Sequence, residues 1–111
     1  MAEVALDMSV LESMFGDDAE LCGAILEEFK HSSIPYMAEF DEAVSNNNIE
    51  GVKSLAHKLK SSSRTIGANP LGNFCDELER LAPQGNWGQI NEFRVLIRAS
   101  LSDVIDAIDG L

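Results

Sequence analysis

Apolar residues recur at three- and four-residue steps along almost the whole chain, and no stretch alternates strictly between polar and apolar positions. That period is helical, so the pattern predicts an all-α protein. A short first helix is expected over about residues 8–15. Ser9-Val10-Leu11-Glu12 has the form of a capping box, and Gly16 ends the segment. Asp17-Asp18-Ala19-Glu20 repeats the start signal, and Leu21, Ile25 and Phe29 then mark an apolar face. Pro35 interrupts this run, because a proline in a helix interior removes a hydrogen bond and clashes with the preceding turn. Tyr36, Met37, Phe40 and Val44 nevertheless resume the same period. Two outcomes fit: one long kinked helix to about residue 45, or two helices with a break near Ser32 and Ser33.

Three asparagines at 46–48 supply a turn and an N-cap. The next helix is expected from about Ile49 to Ile66, with Gly67 as its C-terminal cap. Asn69 followed by Pro70 reads as a cap residue and a proline at the first helical position. The helix after it places Leu71, Phe74, Cys75, Leu78 and Leu81 on one face, and Ala82-Pro83-Gln84-Gly85-Asn86 breaks it. A last helix begins near Asn86 and carries the clearest pattern: Ile90, Phe93, Ile97, Leu101, Val104 and Ile108. Four main amphipathic helices with short connections predict an antiparallel up-and-down four-helix bundle, with a short extra helix at the N-terminus. The 111 residues suit a single domain over 1–111.

Composition narrows the partners. The formal net charge is −11, from 8 basic and 19 acidic residues. Such a mean field repels nucleic acid and anionic membranes as whole-surface partners. No apolar run approaches the roughly 20 residues that span a bilayer. The N-terminal Met-Ala-Glu-Val-Ala-Leu-Asp lacks the basic start and apolar core of a signal peptide. Cys22 and Cys75 lie far apart and inside apolar patterns, as small hydrophobes in a reducing compartment. These features point to a cytoplasmic protein, monomeric for want of a second apolar face, with the acidic excess as a solvated surface. The methionines and Trp87 are expected in core or cap packing. His31 has no basic companions at helical spacing and is expected in solvent. A metal site joining His31, His57, Cys22 and Cys75 would need four ligands from three helices, and no local spacing supports it.

One segment departs from the acidic background. Lys53, Lys58, Lys60 and Arg64 are half of the chain's eight basic residues, and they surround His57. At about 100° per residue, Val52, Leu55, Leu59 and Ile66 fall within roughly 60° of one another and must face the core. Lys53, His57, Lys60 and Arg64 cluster as tightly on the far side of the helix, so His57 points outward. Lys58 projects from a different side and reaches the histidine only obliquely. An exposed imidazole is largely neutral at pH 7, and neighbouring cations favour that state. A neutral imidazole has a free lone pair and is a nucleophile. A metal ion would not favour four cations around its ligand. A phosphoryl group would, because Lys60 and Arg64 stabilise its negative charge. Ser61, Ser62 and Ser63 follow, small enough to admit a partner and able to bond a phosphate oxygen. Taken by themselves, these features also fit a helical adaptor that docks an acidic partner through the 53–64 basic face without chemistry.

The string Ala-His-Lys-Leu-Lys-Ser-Ser-Ser-Arg-Thr-Ile-Gly-Ala-Asn-Pro-Leu-Gly-Asn-Phe-Cys-Asp-Glu-Leu-Glu-Arg-Leu, from Ala56 to Leu81, resembles the signature of histidine-containing phosphotransfer (HPt) domains. The matching positions are His57, Lys60, Ser61, Gly67, Ala68, Leu71, Cys75, Leu78 and Glu79. The resemblance extends from about residue 7 to the end, and the combined motif is specific where His-x-x-Lys alone is not. It implies a phosphorelay intermediate and not an enzyme in isolation. His57 would accept a phosphoryl group from a receiver-domain aspartate and pass it to another receiver. Lys60 would hold the phosphoryl oxygens, with Lys58, Arg64 and Lys53 as lesser contacts. It implies no cofactor of the chain's own, magnesium arriving with the receiver, and a free-standing protein or a piece of a hybrid sensor histidine kinase. Ser61 stands where the family usually has glycine. The phosphoacceptor hairpin of a sensor kinase fits less well, since an acidic residue usually follows its histidine and Lys58 follows here.

Overall fold

The computed structural model describes residues 4–111, and among them every regular element is helical. Met1 and the first residues of the expected domain fall outside that range. Helix α1 covers Met8–Phe15, α2 Ala19–Ser45, α3 Ile49–Ile66, α4 Asn69–Leu81 and α5 Trp87–Asp109, with one turn of 3₁₀-helix at Ala82–Gln84. Four helices form the bundle, and side-chain pairs fix their directions. Lys30 meets Asp109 and Asp41 meets Arg94 and Arg98, so α2 and α5 run antiparallel. His57 meets Glu79 and Arg64 meets Asp76, so α3 and α4 do too. The 27 residues of α2, at about 1.5 Å each, fill the 43 Å long axis of the molecule.

Helix ends follow the capping signals, with three shifts. Asp7, not Ser9, caps α1: its carboxylate accepts the Ser9 amide at 3.0 Å and the Ser9 hydroxyl at 2.6 Å. Ser9 already lies in the first turn of the helix, so its own amide is one of the groups that need a cap. Asp18 caps α2, accepting the Glu20 and Leu21 amides at 3.0 and 3.1 Å. α4 starts from Ala68 without a side-chain cap, and Asn69 is already helical. The reason lies in the preceding turn. Gly67 has φ 82°, its amide bonds the Arg64 carbonyl, and the Ala68 amide bonds the Ser63 carbonyl at 2.8 Å. This Schellman closure uses Ala68 itself, so no residue remains to serve as a separate cap. Asn48 caps α3 through the Gly51 amide, and Asn86 caps α5 through the Gln89 amide, as the asparagines imply.

Pro35 sits inside one uninterrupted α2. Its ring is exposed, so the carbonyl one turn earlier that loses its donor lies toward water. The buried stripe of α2 is Cys22, Leu26, Phe29, Ser33, Met37 and Phe40. Leu21, expected on that face, is 43% exposed, and Ile25 is only partly covered. With apolar residues at both 21 and 22, tertiary packing chooses between them: Met8 of α1 shares a cleft with Cys22 and Leu26, which turns that side inward. Leu59, Leu71, Leu78, Ile90 and Ile97 complete a core in which each side chain contributes about 1.5–3 kcal/mol by leaving water. Trp87 packs partly against that core. Met37 is buried, but Met14 is 57% exposed and departs from the expectation of core packing. No helix among the described residues is long and apolar enough to cross a membrane.

Candidate functional site

α3 holds the site because its apolar stripe fixes its rotation. Val52, Leu55, Ala56, Leu59, Ser63 and Ile66 are buried, which turns His57 outward. The His57 side chain is 63% exposed. A shallow surface groove beside it is lined by Met14, His57, Lys60, Ser61, Arg64 and Thr65. Of the expected residues, the structure brings His57, Lys60, Ser61 and Arg64 together along this groove, while Lys53 does not line it.

α4 supplies two acids to which the sequence reading gave no role. Glu79 spans two site residues with one carboxylate: Oε2 lies 2.9 Å from His57 Nδ1 and Oε1 lies 2.5 Å from Lys60 Nζ. Asp76, one turn earlier, stands 3.6 Å from Lys60 and 3.8 Å from Arg64. Lys60, expected to face solvent, has only 18% of its side chain exposed because it lies against these two acids. The Lys60 ammonium holds the Glu79 carboxyl below the usual carboxylate range, with the His57 contact adding to it against partial desolvation. Glu79 in turn raises Lys60 above its ordinary value. The face is therefore a paired one: two cations, two carboxylates and an imidazole.

This pairing fixes the chemistry of the ring. An ionised carboxylate only accepts hydrogen bonds, so Nδ1 carries the hydrogen that Glu79 receives. The lone pair of a neutral ring is then on Nε2. A carboxylate in this position also orients the imidazole, as it does for histidines that act as nucleophiles or ligands.

The remaining residues separate. Lys58 lines a groove between α2 and α3 together with Glu39, Glu42 and Asn46, and is not brought to the histidine. Lys53 stands one turn before His57 and is half-buried. Of the three serines only Ser61 lines the groove. Ser62 donates to the Lys58 carbonyl at 3.0 Å, and Ser63 is fully buried and donates to the Leu59 carbonyl at 2.6 Å. Arg64 rests across Gly72, where an added Cβ would stand 3.1 Å from the Arg64 Cγ. Beneath the site Cys75 is buried, and that burial pushes its thiol up to about 12. His31 is 75% exposed beside Glu27. Glu79 was legible only as a matching position of the motif, and Asp76 was not singled out. Their spacing of three puts both on one helix face, but nothing in α3 says which side of α4 meets it.

The chain resembles known proteins in both sequence and fold. The family described as "Hpt domain" matches residues 24–109. The sensor protein TorS of Escherichia coli K12 is 31% identical over 83 residues, covering 70% of this chain. That match takes in 9% of TorS, so the chain spans about a tenth of this relative's length. In fold, the crystal structure of histidine-containing phosphotransfer protein B (HptB) from Pseudomonas aeruginosa PAO1 superposes with a TM-score of 0.89. That likeness covers 98% of this chain and 95% of the other at 21% identity. The chain belongs to the Hpt domain family and is a histidine phosphotransfer module of a two-component phosphorelay.

Proposed function

We propose that His57 is the phosphoacceptor and that Nε2 is the atom that carries the phosphoryl group. The single observation that supports this is the 2.9 Å contact between Nδ1 and Glu79, on a ring that is otherwise open to solvent. The Nε2 lone pair attacks the phosphorus of an aspartyl phosphate on a receiver domain. A P–N bond forms, the P–O bond to the aspartate breaks, and the aspartate leaves as its carboxylate. The hydrogen on Nδ1 stays in place throughout, facing Glu79. In the return step an aspartate oxygen of a second receiver attacks phosphorus, and the electron pair of the P–N bond goes back to Nε2.

Lys60 is the residue that meets the transferred oxygens, since it is held beside the ring. Arg64 and the Ser61 hydroxyl border the same groove. Lys53 adds positive potential one turn away, and Lys58 contributes at most to the approach of a partner. Magnesium is brought by the receiver, and the chain works in the cytoplasm without a cofactor of its own.

The test offers the protein a receiver domain loaded with labelled phosphate. Acid-labile, base-stable label is expected on His57 and nowhere else. His57→Gln is expected to take up no label while still binding the receiver. Label on another residue, or full labelling of His57→Gln, ends this reading. Retention of all regulatory output by His57→Gln favours a docking adaptor without chemistry.

A further inference from the structure

The Nδ1 hydrogen has a second consequence, which rests on the phosphoacceptor reading above. When Nε2 bears the phosphoryl group and Nδ1 keeps its hydrogen, the ring carries a positive charge. We propose that Glu79 holds that hydrogen on the phosphorylated ring, so that His57 gives up its phosphoryl group readily instead of storing it. Glu79 is a positioning residue in this account: it acts on the leaving atom through the imidazole.

The chemistry follows from the leaving group. With Nδ1 protonated, rupture of the P–N bond returns the electron pair to Nε2 and releases a neutral imidazole. With Nδ1 bare, the same rupture must release an imidazolate anion, which is a far poorer leaving group. The attacking atom is an aspartate oxygen in transfer and a water oxygen in hydrolysis, and in hydrolysis the water's proton passes to solvent. The proton that matters is therefore the one facing Glu79, and the carboxylate binds it by a charge-assisted hydrogen bond.

The surroundings reinforce the assignment. On α3 the groove beside the ring holds Lys60 and Arg64, with Lys53 one turn earlier on the helix, all cationic, which oppose a positive ring. From α4 it is faced by Glu79, with Asp76 one turn away and directed at Lys60 and Arg64. α1 contributes Met14, which does not titrate. Glu79 is thus the one carboxylate among the described residues in contact with His57, and its ionised form is favoured by Lys60. An arriving phosphoryl group, with nearly two negative charges, competes with Glu79 for Lys60. The carboxylate then keeps its other contact, the Nδ1 hydrogen.

The experiment loads the ¹⁵N-histidine-labelled protein with phosphoramidate and follows phosphohistidine by ³¹P and ¹⁵N spectra. In the wild type the Nδ1 hydrogen is expected to persist on the phosphorylated ring at pH 8. Glu79→Gln keeps an acceptor for Nδ1 but loses the charge. It is expected to lose the Nδ1 hydrogen at lower pH and to lengthen the phosphohistidine lifetime about tenfold, the difference between a charged and a neutral acceptor. A wild-type ring already bare at Nδ1 overturns the inference without any variant. An unchanged lifetime and ¹⁵N profile in Glu79→Gln overturns it as well. Failure of the wild type to label at His57 removes the phosphoacceptor reading itself, and is seen before the variant is compared.

Discussion

The Asp7 amide donates to the Gly67 carbonyl at 2.9 Å, so the entry to α1 is stitched by backbone to the exit of α3. Gly67 is needed there twice over. Its φ of 82° lies in the left-handed region, and a Cβ at this position would stand 2.2 Å from the Asp7 oxygen. Gly67→Ala is expected to cost about 2 kcal/mol or more and to lower Tm by about 8 °C. Thermal unfolding followed by circular dichroism checks it, and an unchanged Tm would show that the α1 stitch relaxes freely.

Lys60→Ala separates chemistry from folding. The residue is mostly covered, but its charge is shared with two acids at the surface, where such pairs add little to stability. Stability should change little. Phosphoryl transfer from a receiver should slow about 10- to 100-fold, the worth of a hydrogen bond to a charged group. Rapid-quench kinetics beside urea denaturation reads both quantities, and unfolding of the variant would contradict the surface account of Lys60.

Acid should weaken the fold through Asp41 and Glu79. Arg98 and then Arg94 hold the Asp41 carboxyl low, at 2.5 and 2.6 Å, and Lys60 does the same for Glu79. A carboxyl whose folded value is depressed stabilises the native state above its unfolded value of about 4 and loses that contribution as pH falls further. Stability should therefore be flat near neutrality and decline below about pH 4. Asp41→Asn should flatten part of that decline and cost about 1 kcal/mol at pH 7, since the group is partly screened by water. Denaturation midpoints across pH 2.5–7, measured at roughly constant ionic strength, test the sign.

At the alkaline end Lys60 and Lys30 work in the opposite sense. Glu79 raises Lys60 and Asp109 raises Lys30. A raised cation stabilises below its unfolded value of about 10.4 and is lost as pH climbs through the folded one. A second decline above about pH 10 is expected in the same titration.

Both cysteines should be silent in the native protein. Cys75 is buried with its thiol pushed up to about 12, and Cys22 is buried near the Gly16 carbonyl. Thiolate is the reactive form, so a thiol reagent at pH 8 should modify neither until denaturant is added. Fast labelling of the folded chain would place one of them at the surface.

The sequence carried α3 almost residue for residue, because Asn48 and Gly67 are unambiguous end signals around a clean apolar stripe. It carried the outward direction of His57 for the same reason. It misread the rotation of α2, where Leu21 and Cys22 are both apolar and only contact with α1 decides between them. It also overstated the positive field around His57. Lys60 and Arg64 are local in sequence, whereas the acids that pair with them arrive from α4. Helical phase reports one helix at a time and is blind to what the neighbour brings. Lys58 shows the complement: adjacency in sequence to His57 placed it in a different groove.

The cross-helix ion pairs of α2 with α5 stand apart from the α3–α4 pair that carries His57. Lys30 with Asp109, and Asp41 with Arg94 and Arg98, hold the rear of the bundle without sharing a residue with the reacting face. The α2–α5 pairs therefore serve the fold alone, whereas the α3–α4 pairs serve both the fold and the reacting face. A fluorophore or tether attached at exposed Val95 or Ser102 on α5 would report on the protein while leaving its reactivity untouched.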